Sequence, residues 1–279
     1  EIHEQSEWVA YELTELETNK IYERTNDFMP DPLVISGTAN NADYQGSGFD
    51  RGHLAPASDM GWSVIAMKES FYFSNMSPQV PSFNRGIWKK LEELVRTWAI
   101  ENQYVYIVTG PVLSSIKNTI GKNKVSVPNY YYKVVLDYNP PEVKGIGFIM
   151  PNVASDEPLE HFAVSIDSVE VVSGIDFFSL LPDEQEKEIE KNFCKSCWSW
   201  SSSKSSKPIK SADITQSAQC EAHLNSGERC KKMTLNTSGF CQLHEQDQVE
   251  KNMKTEQEKN IHSATVHCSA LTKNGKRCK

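Results

Sequence analysis

The chain has 279 residues, 38% of them hydrophobic, and a formal net charge of −8 from 29 Lys and Arg against 37 Asp and Glu. That length allows one large domain or two smaller ones, no run is long and apolar enough to cross a membrane as a helix, and the low hydrophobic share points to a polar segment. All seven cysteines lie at or after Cys194, which excludes a disulfide-built fold for everything upstream.

In chain order, a short strand is expected within residues 8–17, on Trp8-Val9-Ala10-Tyr11-Glu12-Leu13. A polar loop with Pro30-Asp31-Pro32 then leads to Asp50-Arg51-Gly52-His53. If that segment is extended, Arg51 and His53 point to the same side. An imidazole takes a proton near neutral pH, and a guanidinium holds a phosphate in a planar fork of donors. Apart from a metal, a phosphodiesterase needs little else. Residues 60–67 read as a brief helix or turn, and Phe71-Tyr72-Phe73 leads into a strand end. Downstream, Ile87, Leu91, Leu94, Val95 and Trp98 recur at helical spacing behind Ser82. This predicts a helix over 82–101 with Ser82 as its cap. Asn84 falls in the first turn and Glu92 about two turns later. Oxygen ligands of this kind suit a hard cation such as Mg²⁺.

Tyr104 to Gly110 is expected to be a buried strand ended by Gly110-Pro111. Two further strands, 130–136 and 143–150, flank the turn Asp137-Tyr138-Asn139-Pro140-Pro141. Tyr130, Tyr131 and Tyr132 are assigned to sheet packing rather than base stacking. Residues 157–169 are mixed, His161 has no motif around it, and 183–192 reads as an exposed helix. This order fits an α+β fold, an antiparallel sheet core with helices packed around it.

The composition changes after residue 192. Residues 1–190 carry 14 Lys and Arg against 29 Asp and Glu, whereas 191–279 carry 15 against 8. A basic tail can raise the local concentration of nucleic acid through phosphate contacts. Residues 193–218 are expected to form a Ser- and Lys-rich linker. Residues 219–246 form a Cys/His module, 247–266 a second linker, and 267–279 an incomplete second repeat. Cys220, Cys230, Cys241 and His244 make a Cys₃His set suited to tetrahedral Zn²⁺. Disulfides are the alternative, and the closing Cys-x-x-His favours zinc because a disulfide does not use His. Cys194 and Cys197 fit a local disulfide, a ligand pair or free thiols.

Several motifs in order then resemble one family. Asp50-Arg51-Gly52-His53, Ser74-Asn75-Met76-Ser77-Pro78-Gln79, Phe83-Asn84-Arg85-Gly86-Ile87-Trp88 followed by Leu91-Glu92-Glu93, Val164 to Asp167, and Gly174 to Phe178 are similar to those of the DNA/RNA non-specific endonucleases of the ββα-metal superfamily. The resemblance covers roughly residues 8–180 and implies a ββα-metal active site in residues 1–192. It implies His53 as general base, Asn84 as ligand of Mg²⁺ (with Mn²⁺ as the alternative ion), and Glu92 as holder of the ion's water shell. It further implies Arg51 and Arg24 as phosphate contacts and Asn75 as the residue that orients the site. The expected reaction is hydrolysis of DNA and RNA to 5′-phosphate ends. Asp50 is read as a structural anchor. By the habit of the family, the expected setting is secreted or periplasmic, with a homodimer and an inhibitor or immunity protein as expected partners. The competing reading is an inactive nucleic-acid-binding protein, or a toxin-like effector, acting through the basic Cys/His tail.

Overall fold

The structure, a computed structural model, describes residues 2–140 and 142–201, with short pieces at 218–219, 221–223, 229–230 and 233–234. In chain order its first unit contains β1 (Val9–Thr14), the one-turn α1 (Asn41–Tyr44), β2 (Asp50–His53), α2 (Val64–Glu69), β3 (Met76–Gln79) and α3 (Lys89–Glu101). There follow β4 (Tyr104–Pro111), β5 (Ile116–Ile120), β6 (Val125–Pro128), β7 (Tyr130–Asp137), β8 (Lys144–Pro151), β9 (Ala163–Val164), α4 (Ile166–Ser173) and α5 (Asp183–Lys191). The result is α+β, as the order of elements suggested.

One five-stranded sheet, in the order β1-β4-β7-β8-β9, is antiparallel throughout. Successive side chains of a strand alternate between faces, and β7 shows both faces in use. Tyr131 and Val135 pack with α3 residues Leu91, Leu94, Val95 and Trp98, while Tyr132, Val134 and Leu136 pack with Ile166 and Val169 of α4 and Ile189 of α5. Both faces are covered, so the strand is a continuous apolar run rather than an alternating one. Lys133 interrupts it, 1% exposed and on the α3 face.

Two local expectations are corrected. Ser82 does not cap a helix with its side chain. Val80 O already accepts from the amides of Phe83 and Asn84, each at 2.9 Å, so a side-chain cap has little left to satisfy. Residues Phe83–Trp88 form a wide π turn, with Gly86 at φ −104°, ψ −111°, before α3 begins. Helix α5 is not exposed all round, since it buries Ile189 and Glu190.

The β5–β6 hairpin was not anticipated. The chain beyond Lys191 also stays on the core. Trp198 is 4% exposed, its ring is 4.4 Å from that of Trp98, and Trp98 Nε1 donates to Ser199 O at 2.7 Å. Residues 193–200, expected to open a linker, thus belong to the compact unit Glu1–Ser205. Cys194 and Cys197 form a disulfide with Cα atoms 5.4 Å apart.

The second unit runs from Ser206 to Lys279. In it, Ala218–Gln219 pairs antiparallel with Met233–Thr234, and Cys230 is buried, its amide donating to Ala222 O at 2.7 Å. Cys220, Cys241 and His244, and with them the expected zinc set, lie outside the described residues.

Candidate active site

Strands β2 and β3 pair antiparallel, with Asp50 opposite Gln79, Arg51 opposite Pro78, Gly52 opposite Ser77 and His53 opposite Met76. The chain then passes through the π turn into α3, which completes a ββα unit. Buried side chains lock it to the central sheet. Tyr131 OH donates to Pro78 O at 2.9 Å. Asn152 Nδ2 donates to the same oxygen at 3.1 Å, and its Oδ1 accepts from Val80 N at 2.8 Å. Gly52 is required by close approach: a Cβ there would collide with the Gln79 side chain.

The extended β2 sends Arg51 and His53 into one cleft, whose walls also carry Arg24, Phe28, Asn84 and Glu92. His53 is 7% exposed. Its ring lies 4.9 Å from Phe71, edge-on, and 5.9 Å from Phe28. Burial first, and the charge of Arg24 second, push its pKa down to about 3, against a hydrogen bond to the Arg51 backbone that raises it. Nε2 is buried without a hydrogen-bond partner among the described residues. The bond to the Arg51 backbone must therefore come from the other ring nitrogen, which leaves the lone pair on Nε2. At neutral pH this imidazole is uncharged and able to accept a proton.

Asn84 is oriented by Asp50. Its Nδ2 donates to Asp50 Oδ2 at 2.9 Å, which leaves the amide oxygen as the acceptor for a cation. The same carboxylate takes a two-pronged bond from the exposed Arg85, with Nε at 2.8 Å and Nη2 at 2.6 Å. Arg51 is held by Asn41 O at 3.3 Å and by the faces of Phe28 and Tyr44, 5.2 and 5.8 Å from its guanidinium carbon. Arg24 lies 5.0 Å over Phe71 and donates to Asn26 Oδ1 at 2.7 Å.

Glu92 stands on the cleft side of a buried charge network that the sequence did not reveal. Burial raises its pKa, and Lys133, Arg96 and Arg24 oppose the rise. Lys133 Nζ is buried without a hydrogen-bond partner among the described residues, 4.9 Å from the Trp88 ring centre. Burial lowers its pKa, and the carboxylates of Glu92 and Asp59 counter this. Asp59 in turn accepts from Arg96 at 2.6 Å and from Tyr11 at 2.8 Å. Arg96, four residues after Glu92, and a Lys inside an apolar strand were signals in the sequence. Asp59 offered none.

Asn75 does not reach the cleft. Its Nδ2 donates to Ala55 O at 2.9 Å and Ser70 O at 2.8 Å, and its Oδ1 accepts from Ala55 N at 2.9 Å. It fixes the backbone two residues beyond His53. Around the cleft, Lys20, Arg24, Arg51, Arg85, Lys89 and Arg96 outnumber Asp50, Glu92 and Glu93. The local field is therefore set for an anion, although residues 1–190 are acidic as a whole.

Comparisons with known proteins place the chain in a family. The family model described as DNA/RNA non-specific endonuclease matches residues 3–184. The mitochondrial endonuclease G of Bos taurus is 45% identical over 165 residues, 54% of this chain and 55% of that protein. The human protein of the same name is 43% identical over 168 residues, 55% and 57%. Nuclease C1 of Cunninghamella echinulata var. echinulata is 40% identical over 191 residues, 62% and 76%. This chain thus spans little more than half the length of the two mammalian relatives. A crystal structure of the EndoG/EndoGI complex superposes with a TM-score of 0.61 at 34% identity, covering 66% of this chain and 82% of that one. The expected secreted or periplasmic setting is overturned, because the relatives include mitochondrial nucleases of cattle, humans and Schizosaccharomyces pombe.

Proposed function

The chain belongs to the DNA/RNA non-specific endonuclease family, and from that premise we propose that it hydrolyses phosphodiester bonds of DNA and RNA with little sequence preference, leaving 5′-phosphate ends. The observation that carries this reading is His53, an imidazole kept neutral by burial, with Nε2 unpartnered on a cleft rich in guanidinium groups.

The residues present fit a divalent ion. Asn84 has its amide nitrogen committed to Asp50 and one hard oxygen to offer, and Glu92 adds a carboxylate on the same cleft. So sparse an oxygen set suits Mg²⁺, which keeps several waters, and Mn²⁺ as its substitute. When bound, such an ion supplies Lewis-acid stabilisation of charge on the phosphate and the leaving oxygen. His53 Nε2 takes a proton from the attacking water. Arg51 and Arg24, held over aromatic faces, offset the charge that builds on the phosphate oxygens. Asp50 orients Asn84, Asn75 holds the turn after His53, and Glu92 would help hold a bound ion through its waters. The mitochondrial relatives support a mitochondrial setting.

Asn84→Ala tests the assignment of the ion. Its cleavage of plasmid and of single-stranded RNA is expected to fall to the level of wild type in EDTA, with end-labelling of the wild-type products showing 5′-phosphates. Undiminished cleavage by Asn84→Ala in Mg²⁺ would remove Asn84 from the metal site.

A further inference from the structure

Asp59 lies behind the cleft. Its side chain is 1% exposed, and both of its oxygens are taken. Oδ1 accepts from Arg96 Nη1 at 2.6 Å, and Oδ2 from Tyr11 OH at 2.8 Å. Its amide donates to Pro56 O at 2.9 Å, closing the turn that follows His53. Pro56, Ala57 and Ser58 of that turn line the cleft. Asp59 therefore joins the segment after His53 to β1 and to α3.

On α3, Glu92 and Arg96 are four residues apart, which makes them neighbours on one helix face. An acid four residues ahead of a base is the favourable order for a helical ion pair. The less favourable order does form a pair on the same helix, Lys89 with Glu93 at 3.7 Å. Yet no ion pair among the described residues includes Glu92. Arg96 turns to Asp59 instead. Glu92 stays half-buried on the cleft wall, facing the charges of Lys133, Asp59, Arg96 and Arg24 but paired with no cation.

We propose that Asp59 is a positioning residue for the metal: by holding Arg96 it keeps that guanidinium off Glu92, and so leaves the Glu92 oxygens free for the waters of a bound ion. This rests on the nuclease reading above. Without Asp59, Arg96 is a part-buried cation that has lost its anion. Glu93 is already held by Lys89, so Glu92, one turn back, answers it. A guanidinium–carboxylate bond is charge-assisted and strong, and it competes with the ion's waters for the same lone pairs.

Calorimetric titration of Mn²⁺ into the full chain tests this without any cleavage, with Asn84→Ala as the reference for binding elsewhere. Wild type should bind saturably. Asp59→Asn should bind about 10–100-fold more weakly, as loss of an outer-shell partner does, while its circular dichroism matches that of wild type. Adding Arg96→Gln to Asp59→Asn should bring the affinity back to the wild-type value, because the competitor is gone. Adding Lys133→Met instead restores the same charge balance but leaves Arg96 in place, and binding should stay weak. Wild-type affinity in Asp59→Asn, no recovery with Arg96→Gln, or equal recovery with Lys133→Met would each overturn the proposal, as would a wild type that binds no more Mn²⁺ than Asn84→Ala. If Asp59→Asn alone does not fold, its charge-balanced combination with Arg96→Gln decides: wild-type affinity upholds the proposal and weaker binding overturns it. A wild type that binds Mn²⁺ with this pattern of variants, yet cuts neither DNA nor RNA, would end the nuclease reading and leave the hold of Asp59 on the metal site standing.

Discussion

At the scale of single residues, His53 joins function to stability. Its folded pKa, about 3, lies below the ordinary histidine value near 6.5. Between those two values the unfolded chain binds a proton that the folded chain refuses, so stability falls as the pH drops through that window. His53→Gln should flatten this part of the stability curve, measured as urea midpoints from pH 7 to pH 4. A curve of unchanged slope would mean that the imidazole is not held neutral. Asp50 carries a second test. Asp50→Asn removes the charge that anchors both Asn84 and Arg85, and should cost about 10–100-fold in activity or metal affinity, as loss of an outer-shell partner does. Much of this scale was legible in the sequence, because Arg51, His53, Asn84 and Glu92 sit in short contiguous motifs. What distinguishes Asn75, which never reaches the cleft, is its pair of bonds to the backbone of Ala55, twenty residues away, and no motif encodes that.

At the scale of elements, the strands with strong β-formers were legible: β1, β4, β7 and β8 all fall within a residue or two of expectation. The β5–β6 hairpin was not, because four of the five β5 residues are exposed and Ile116-Lys117-Asn118-Thr119-Ile120 has little apolar periodicity. The π turn before α3 was hidden as well, since its cause is where the amides of Phe83 and Asn84 find their acceptor. Strand β7 yields a prediction through Lys133. Its ammonium faces the buried carboxylates of Glu92 and Asp59, and removing one partner of a buried charge network leaves the others uncompensated, which is destabilising. Lys133→Met should therefore lower the thermal midpoint. It also removes the cation that most opposes the rise in the Glu92 pKa, so Glu92 protonates at higher pH. The acid limb of the pH–activity curve should move upward. A superimposable curve would show that Lys133 does not act on Glu92.

At the scale of the whole molecule, the compact unit Glu1–Ser205 holds the complete ββα site, and the acidic first part contrasts with a basic remainder. A chain ended at Ser205 should keep its cooperative unfolding and its cleavage of nucleic acid. It should bind DNA more weakly at low salt and with a shallower salt dependence, as each lost phosphate contact lowers the slope by about 0.9. Binding isotherms at several salt concentrations measure this, and an unchanged slope would remove the tail from nucleic-acid binding. The composition break in the sequence showed that two units exist, but not that Trp198 and Trp200 pack on the first, since that depends on the Trp98 surface formed only on folding. The central claim is that this cleft hydrolyses phosphodiesters with His53 as base. The measurement that tests it most directly is cleavage of supercoiled plasmid and single-stranded RNA in Mg²⁺ by wild type and His53→Ala. Wild type should cut both, and the variant should be slower by about 10²–10⁴-fold. Equal rates, or no cleavage by wild type with any divalent ion, would contradict the account.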